Sequence, residues 1–429
     1  MQRTHIAEVQ PGGTCRVQGF LENIRDKRTM AFLVVRDITG KIQLTIDKAK
    51  RPDLAEIIPS LTLESVVTVE GPVLANPSVK LNGLEMLPNS LVLESKAEAL
   101  PIQEDSAIDL RLDYRWLDLR SEKNTLIFQV QTALMQYIRN MLCEKNFIEL
   151  HTPKLIGTAS ESGADVFELN YFDRKAYLAQ SPQFYKQMAM AAGFERIYEI
   201  GPVFRAEKSY TNKHTTEYTS FDIEVSYIDS YRDIMRIEEE LLTDALRMIK
   251  TRYGEAIQRL FGIEVVVPTL PFPEIKLADL YDELEKRYGF TVPETEKGDL
   301  NTESERMAFR YAQEVYGHEF LFVTNYGVDK RPFYHMRSAE GVPEGFDLYW
   351  RGIEITTGAQ REHRYDILRQ QADEKGLTED VKFYMEFFRY GCPPHGGFGL
   401  GVDRLTMVLL NQVINQTMFL FRSPNRLSP

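Results

Sequence analysis

An α+β fold in two parts follows from three observations. Five short strand patterns crowd into residues 14–93, long apolar-periodic helices follow from residue 126, and the later strands and helices lack a regular βαβ alternation. The second part is therefore expected to be an antiparallel sheet flanked by helices rather than a doubly wound one.

The first strands are Thr14–Leu21, Met30–Asp37, Lys41–Ile46, Ser65–Val73 and Ser90–Leu93, with a helical piece at Pro52–Ile58 before the fourth. That order suits a small β-barrel of the OB type. Such barrels bind single-stranded nucleic acid by stacking bases on strand aromatics. Phe32, beside Arg25, Lys27 and Arg28, is a candidate platform, although the residues alone fit a core phenylalanine better. A linker carrying Pro101 and the charged segment Arg111–Arg120 lead into an amphipathic helix with Leu126, Ile127, Val130, Leu134, Ile138 and Leu142 at three- and four-residue intervals. Its stripe fits a dimer interface and a core equally.

Ser181-Pro182 starts a helix over Gln183–Ala192. From Gly201 to Tyr227 a strand, a polar loop and a returning strand are expected, with Phe221, Ile223 and Val225 alternating with Asp222 and Glu224. The loop holds Arg205, Glu207, Lys208, Lys213 and His214, and Tyr218 precedes the second strand. Charged donors held by two strands suit an anion and an aromatic suits a planar ring, but a solvated hairpin would look the same. The helix Tyr231–Tyr253 follows, with Glu238–Glu240 expected on its solvated side. Residues 265–318 offer helices at Leu277–Tyr288 and Ser304–Tyr316 and no chemistry beyond packing. Strand patterning returns at Phe320–Asn325, Phe333–Met336 and Phe346–Thr356, and a glycine-rich strand turns into a helix at Val402–Leu410.

A length of 429 residues with 43% hydrophobic content allows two or three domains, and a net charge of −12 argues against a general polyanion binder. The three cysteines are too few and too far apart for a disulfide framework or a metal motif. With no run of 18 apolar residues and no apolar core at the N-terminus, a cytoplasmic location is expected.

Chemistry concentrates in three places. Arg205 and Glu207 lie on the hairpin loop. Asp347 and Glu354 stand seven apart and share a side of a strand only if a bulge intervenes; two carboxylates near a triphosphate suit magnesium. Gly396, Gly397, Gly399 and Gly401 precede Arg404 and are expected to let the backbone approach a ligand. Two arginines and a carboxylate pair point to nucleotide binding without a P-loop.

Those stretches carry a family resemblance. FRAE…TSFDIEV resembles motif 2 of the class II aminoacyl-tRNA synthetases, GFGLGVDRL resembles motif 3, and the helix, strand and Pro153 resemble motif 1. QSPQFYKQ, GIEITTGAQREHR and PPHGGFGLGVDRL are similar to the aspartate branch, and the length suits its compact archaeal-like form. The resemblance implies an OB-fold anticodon-binding domain over 1–95, a hinge over 96–120 and a class II catalytic domain over 121–429. It implies that Arg205 and Arg404 hold the α- and γ-phosphates of ATP and are catalytic. Tyr218 would stack on adenine, where the family usually has phenylalanine. Glu207 would meet the adenine amino group, and His214 the phosphates. Asp347, Glu354 and Thr357 would hold Mg2+. Lys186 and Arg361 would take the aspartate side chain, with Asp222 orienting Lys186, and Glu161, Ser181 and Gln183 would take its ammonium group. Arg25, Phe32 and Gln43 would read the anticodon. The implied partners are tRNA(Asp), with tRNA(Asn) if the enzyme is relaxed, an amidotransferase in that case only, and a second copy in a homodimer. The rival readings are an asparagine–tRNA ligase, a synthetase-like asparagine synthetase, and a catalytically dead tRNA-binding protein.

Overall fold

The computed structural model describes residues 1–157, 165–208 and 213–429. The chain divides into two compact units, Met1–Thr125 and Leu126–Pro429.

The first unit holds β1 (Thr14–Asp26), β2 (Met30–Asp37), β3 (Gly40–Asp47), β4 (Val66–Ala75), β5 (Leu84–Met86) and β6 (Ser90–Ser95). The order β1-β2-β3-β5-β4 closes because β4 pairs back onto β1, and β6 adds to the far edge of β4. Alternate residues point inward: Ala31, Leu33 and Val35 on β2 and Ile42, Leu44 and Ile46 on β3 are all buried. The barrel is thus OB-like, as expected, with two differences. β5, three residues long, is too short to leave a pattern. β1 runs past Leu21 to Asp26, because a bulge at Glu22 breaks the alternation without ending the strand. The segment over 96–120 forms short helices, Ile108–Asp113 and Arg115–Asp118, in which Asp118 accepts from Arg111 at 2.7 Å and Arg115 at 2.5 Å.

The second unit is built on β7 (Ile148–Glu149), β8 (Leu155–Ile156), β9 (Glu168–Tyr171), β10 (Arg174–Leu178), β11 (Arg196–Phe204), β12 (Glu217–Ser226), β13 (Glu274–Lys276), β14 (Phe320–Thr324), β15 (Gly345–Trp350), β16 (Ile353–Arg361) and β17 (His395–Gly401). Eight of these form one sheet in the order β13-β14-β15-β16-β17-β12-β11-β7, antiparallel except at its two outermost pairings. The stripe Leu126 to Leu142 and the helix Tyr231–Phe261 pack with Phe221, Ile223, Phe346 and Phe398 in one core, so the stripe is spent on the chain's own sheet. Among the described residues, no helix is long and apolar enough to cross a membrane.

Three sequence expectations are corrected. Phe346–Thr356 is a hairpin, not one strand. Arg351 and Gly352 take φ of 50° and 74°, the left-handed pair that a two-residue turn needs, so the chain reverses between β15 and β16. Phe333–Met336 is not a strand; Phe333 and Tyr334 are apolar because they pack with Tyr384 and Phe388, and His335 makes only an isolated bridge to Arg361.

The third correction concerns Glu238–Glu240. Successive helical residues point about 100° apart, so three in a row cannot share a face. Only Glu240 is exposed; Glu239 accepts from the Phe272 N–H at 2.8 Å, and Glu238 is fully buried against β16. Burial pushes the Glu238 carboxyl up to about 8 from its ordinary 4.5, the Thr356 hydroxyl only partly opposing. Because the folded value is the higher, this group favours folding fully below pH 4.5 and loses that contribution as pH rises to about 8. Glu238→Gln should therefore stabilise the protein by on the order of 3 kcal/mol at pH 7. Thermal melts should show the gap between variant and parent widening from pH 5 to pH 8.

Candidate active site

A cleft of about 400 Å³ opens over the central strands. Arg205 follows β11, Tyr218 opens β12, Glu354 and Thr357 lie on β16, and Arg404 sits in the first turn of Val402–Leu410. The topology thus gathers residues from Gln180 to Ile414 on one wall.

At one end the groups are cationic. The Arg205 guanidinium lies 5.6 Å from the Tyr218 ring centre and 3.8 Å from Glu207 Oε1. His214 Nε2 lies 3.9 Å from Glu207 Oε2; burial, and then the Arg404 charge, lower its pKa, so it is a neutral hydrogen-bonding imidazole at pH 7. Arg404 donates to the Glu354 carbonyl at 2.9 Å, which fixes its head beside the Glu354 carboxylate at 3.9 Å.

Asp347 and Glu354 come from the two arms of the hairpin. A bulge at Ile355 shifts the register, so Glu354 shares a side with Thr357, whose hydroxyl donates to it at 3.3 Å. Thr357 pairs with Asp347 across the ladder. Asp347 accepts from Arg331 at 2.7 Å through Oδ2, while its buried Oδ1 has no partner. Burial and then the nearby Asp347 charge raise the Glu354 pKa. Two carboxylates, one of them with an orphaned oxygen, and a hydroxyl are oxygen donors that fit a magnesium ion completing its shell with water and phosphate. No cluster of three or more His, Cys, Asp or Glu exists among the described residues, so a cage made of protein alone does not.

At the other end Glu224, fully buried, lies between two cations. Arg361 Nε donates to its Oε1 at 3.0 Å, and Lys186 Nζ is 3.3 Å from its Oε2. Burial would raise the Glu224 pKa, but Arg361 and Lys186 outweigh it and hold it below the usual range. Lys186 also donates to Asp222 at 2.9 Å and to the Phe398 carbonyl at 3.1 Å. Lys186 therefore stands behind Asp222, which lines the cleft, whereas Arg361 lines it directly. Arg361 spends other N–H groups on the Gly397 carbonyl at 3.0 Å and on His335 Nε2 at 3.2 Å. Burial, followed by the Arg361 charge, keeps His335 neutral and so able to accept. Ser181 Oγ accepts from the Gln183 N–H at 3.3 Å, and Gln183 donates to Gln187 at 2.8 Å.

Glu224, His335 and Gln187 escaped the sequence reading. The alternation of Asp222 and Glu224 was a usable signal, since two acids on one face of a buried strand need cations nearby. Glu161 lies outside the described residues.

Gly399 and Gly401 line the cleft, and glycines of this strand also make room behind it. A Cβ on Gly397 would sit 2.1 Å from the Ile223 carbonyl oxygen and 2.3 Å from Glu224 Oε2, and one on Gly399 would sit 2.9 Å from Asp222 Oδ1. These glycines make room for the two acids of β12. Gly397→Ala should consequently lower the melting temperature and abolish amino-acid activation together, because the methyl group displaces backbone as well as Glu224. Melts and an exchange assay check this.

In the first unit Arg25, Phe32 and Gln43 come together on the outward side of β1, β2 and β3. Arg25 pairs with Phe32 and lies 5.8 Å from its ring centre, and Gln43 donates to Thr45, the cross-strand neighbour of Phe32, at 3.3 Å. Phe32 is only half-buried and faces away from the barrel core.

Residues 107–422 match the family described as tRNA synthetases class II (D, K and N), and residues 15–93 match an OB-fold nucleic acid binding domain. The chain is 42% identical to the aspartate–tRNA(Asp/Asn) ligase of Methanopyrus kandleri and 39% identical to the aspartate–tRNA(Asp) ligase of Thermococcus kodakarensis, covering 100% of both chains in each case. It also resembles the asparaginyl-tRNA synthetase of Pyrococcus horikoshii complexed with asparaginyl-adenylate, with a TM-score of 0.91, 31% identity and 100% of each chain covered. The aspartyl-tRNA synthetase of Entamoeba histolytica gives 0.88 at 29% identity, covering 100% of this chain and 93% of that one.

Proposed function

The chain belongs to the class II tRNA synthetases (D, K and N), and from that premise we propose that it is an ATP-dependent aspartate–tRNA ligase. The observation that carries the choice of amino acid is the buried cluster at one end of the cleft, where Arg361 faces the opening and Lys186 backs Asp222. A guanidinium with N–H groups to spare matches a carboxylate; a carboxamide would forfeit the charge.

In this reading Arg361 takes the aspartate side chain directly, and Lys186, held by Asp222, supplies its charge from behind Asp222. Ser181, Gln183 and Glu161 hold the ammonium group. Tyr218 stacks on adenine, Glu207 meets its amino group, and Arg205, His214 and Arg404 hold the phosphates. Asp347, Glu354 and Thr357 would hold Mg2+, which would neutralise phosphate charge. The aspartate α-carboxylate attacks the α-phosphorus in line and diphosphate leaves. The protein positions both substrates and stabilises charge, so no side chain need act as a base. The terminal adenosine of tRNA then attacks the aspartyl-adenylate carbonyl and AMP leaves. Phe32 would stack on an anticodon base, with Arg25 and Gln43 reading its neighbours. A cytoplasmic homodimer completes the proposal.

A relaxed form that also charges tRNA(Asn), and so requires an amidotransferase partner, is a second reading. It is favoured by the Methanopyrus relative, whose name covers both tRNAs. Purified tRNA(Asp) and tRNA(Asn) offered labelled aspartate would separate the two. Aspartate on tRNA(Asp) alone supports the strict form and aspartate on both the relaxed one. Failure to charge tRNA(Asp) would overturn the proposal.

A further inference from the structure

Residues 265–318 carry no motif, yet they reach the phosphate end of the cleft. The helix Thr302–Tyr311 is capped by Asn301, whose Oδ1 accepts from the Glu303 and Ser304 N–H groups at 3.0 and 2.8 Å. In its first turn the Glu305 carboxylate, with its side chain only 5% exposed, is 2.5 Å from Lys213 Nζ. Lys213 lines the cleft with Arg205, His214 and Arg404. The helix is also seated against the β15–β16 turn, where a Cβ on Gly352 would sit 2.9 Å from the Glu305 carbonyl oxygen.

A buried carboxylate beside Arg404 and Glu354 is a poor neighbour for a triphosphate, since like charges repel strongly where water is excluded. Its evident use is to fix a cation. An unrestrained lysine on a loop would lose rotamer entropy on meeting an anion, whereas one already held in place loses less. We propose that Glu305 is a positioning residue for ATP: it holds Lys213 at the phosphate end, where Lys213 contacts the oxygens that leave as diphosphate. This rests on ATP lying in the cleft with its phosphates toward Arg404. It gives the segment between Phe261 and Phe320 a part in the reaction, tying the hairpin loop to the helix that backs the carboxylate pair.

The test is steady-state ATP–diphosphate exchange with Lys213→Ala, Glu305→Gln and the double variant. Lys213→Ala should raise the KM for ATP about tenfold, as expected for one charge-assisted contact, and Glu305→Gln by a similar factor. The double variant should be no worse than Lys213→Ala alone, because the carboxylate acts only through the lysine. The KM for aspartate should not move, which separates positioning from general damage to the fold. Lys213→Arg should restore the ATP value. Additive effects, or an unchanged KM for ATP in Glu305→Gln, would overturn the proposal. Arg404→Ala distinguishes the two levels. If it slows adenylate formation or raises the KM for ATP while Glu305→Gln leaves that KM unchanged, only the role of Glu305 falls; if Arg404→Ala changes neither, the placement of ATP is wrong and this role falls with it.

Discussion

Arg361→Gln is expected to lower kcat/KM for aspartate by about 10³-fold, the loss of two charge-assisted hydrogen bonds. A guanidinium has five N–H groups. Those on Nε, Nη1 and Nη2 that meet Glu224, His335 and the Gly397 carbonyl fix the plane of the fork, and the rest remain for a ligand in the cleft that Arg361 lines. The same change leaves buried Glu224 with Lys186 as its only cation, and breaking a buried pair costs about 3–5 kcal/mol. Kinetics therefore belong well below the melting temperature of the variant. Arg361→Lys separates the two effects. An ammonium can still neutralise Glu224, so stability should largely return, but it lacks the planar fork and activity should not.

Arg404→Ala should cut the rate of adenylate formation by about 10²–10³-fold, the usual consequence of removing one preorganised charge from a transition state. Its stability should hardly change. The Arg404 side chain is 26% exposed and its direct hydrogen bond is to the Glu354 carbonyl, not to a buried charge. Single-turnover measurements with saturating ATP would show the loss in the chemical step, so a change confined to the KM for ATP would assign Arg404 to ground-state binding instead.

Much of this was legible in the sequence because the informative residues sit on short, locally determined elements. Arg205, Glu207 and Tyr218 flank one loop, and the segment from Gly396 to Arg404 reads as a strand entering a helix, which it is. Alternation along β12 predicted the strand, but not that both its faces are buried: Phe221, Ile223 and Val225 meet the core while Asp222 and Glu224 meet Lys186 and Arg361. Other features depend on partners far away in the chain. Glu224 and Arg361 are 137 residues apart, and Lys213 and Glu305 are 92 apart. No local pattern joins them. The turn at Arg351-Gly352 was hidden because strand-like patterning continues on both sides of it, through β15, which is buried throughout, and β16, which is largely so, and Arg-Gly is a weaker hairpin signal than Asn-Gly or Asp-Gly. Glu238 misled for the opposite reason, since a run of acids normally marks a wet surface and here two of the three are buried.

The most direct test of the central claim, that the Arg361 end of the cleft selects a carboxylate, is ATP–diphosphate exchange measured with aspartate and with asparagine on the unmodified protein. Exchange with aspartate and little with asparagine is the expected result, with the preference largely lost in Arg361→Gln. Exchange supported by asparagine and not by aspartate would contradict it and make the chain an asparagine enzyme.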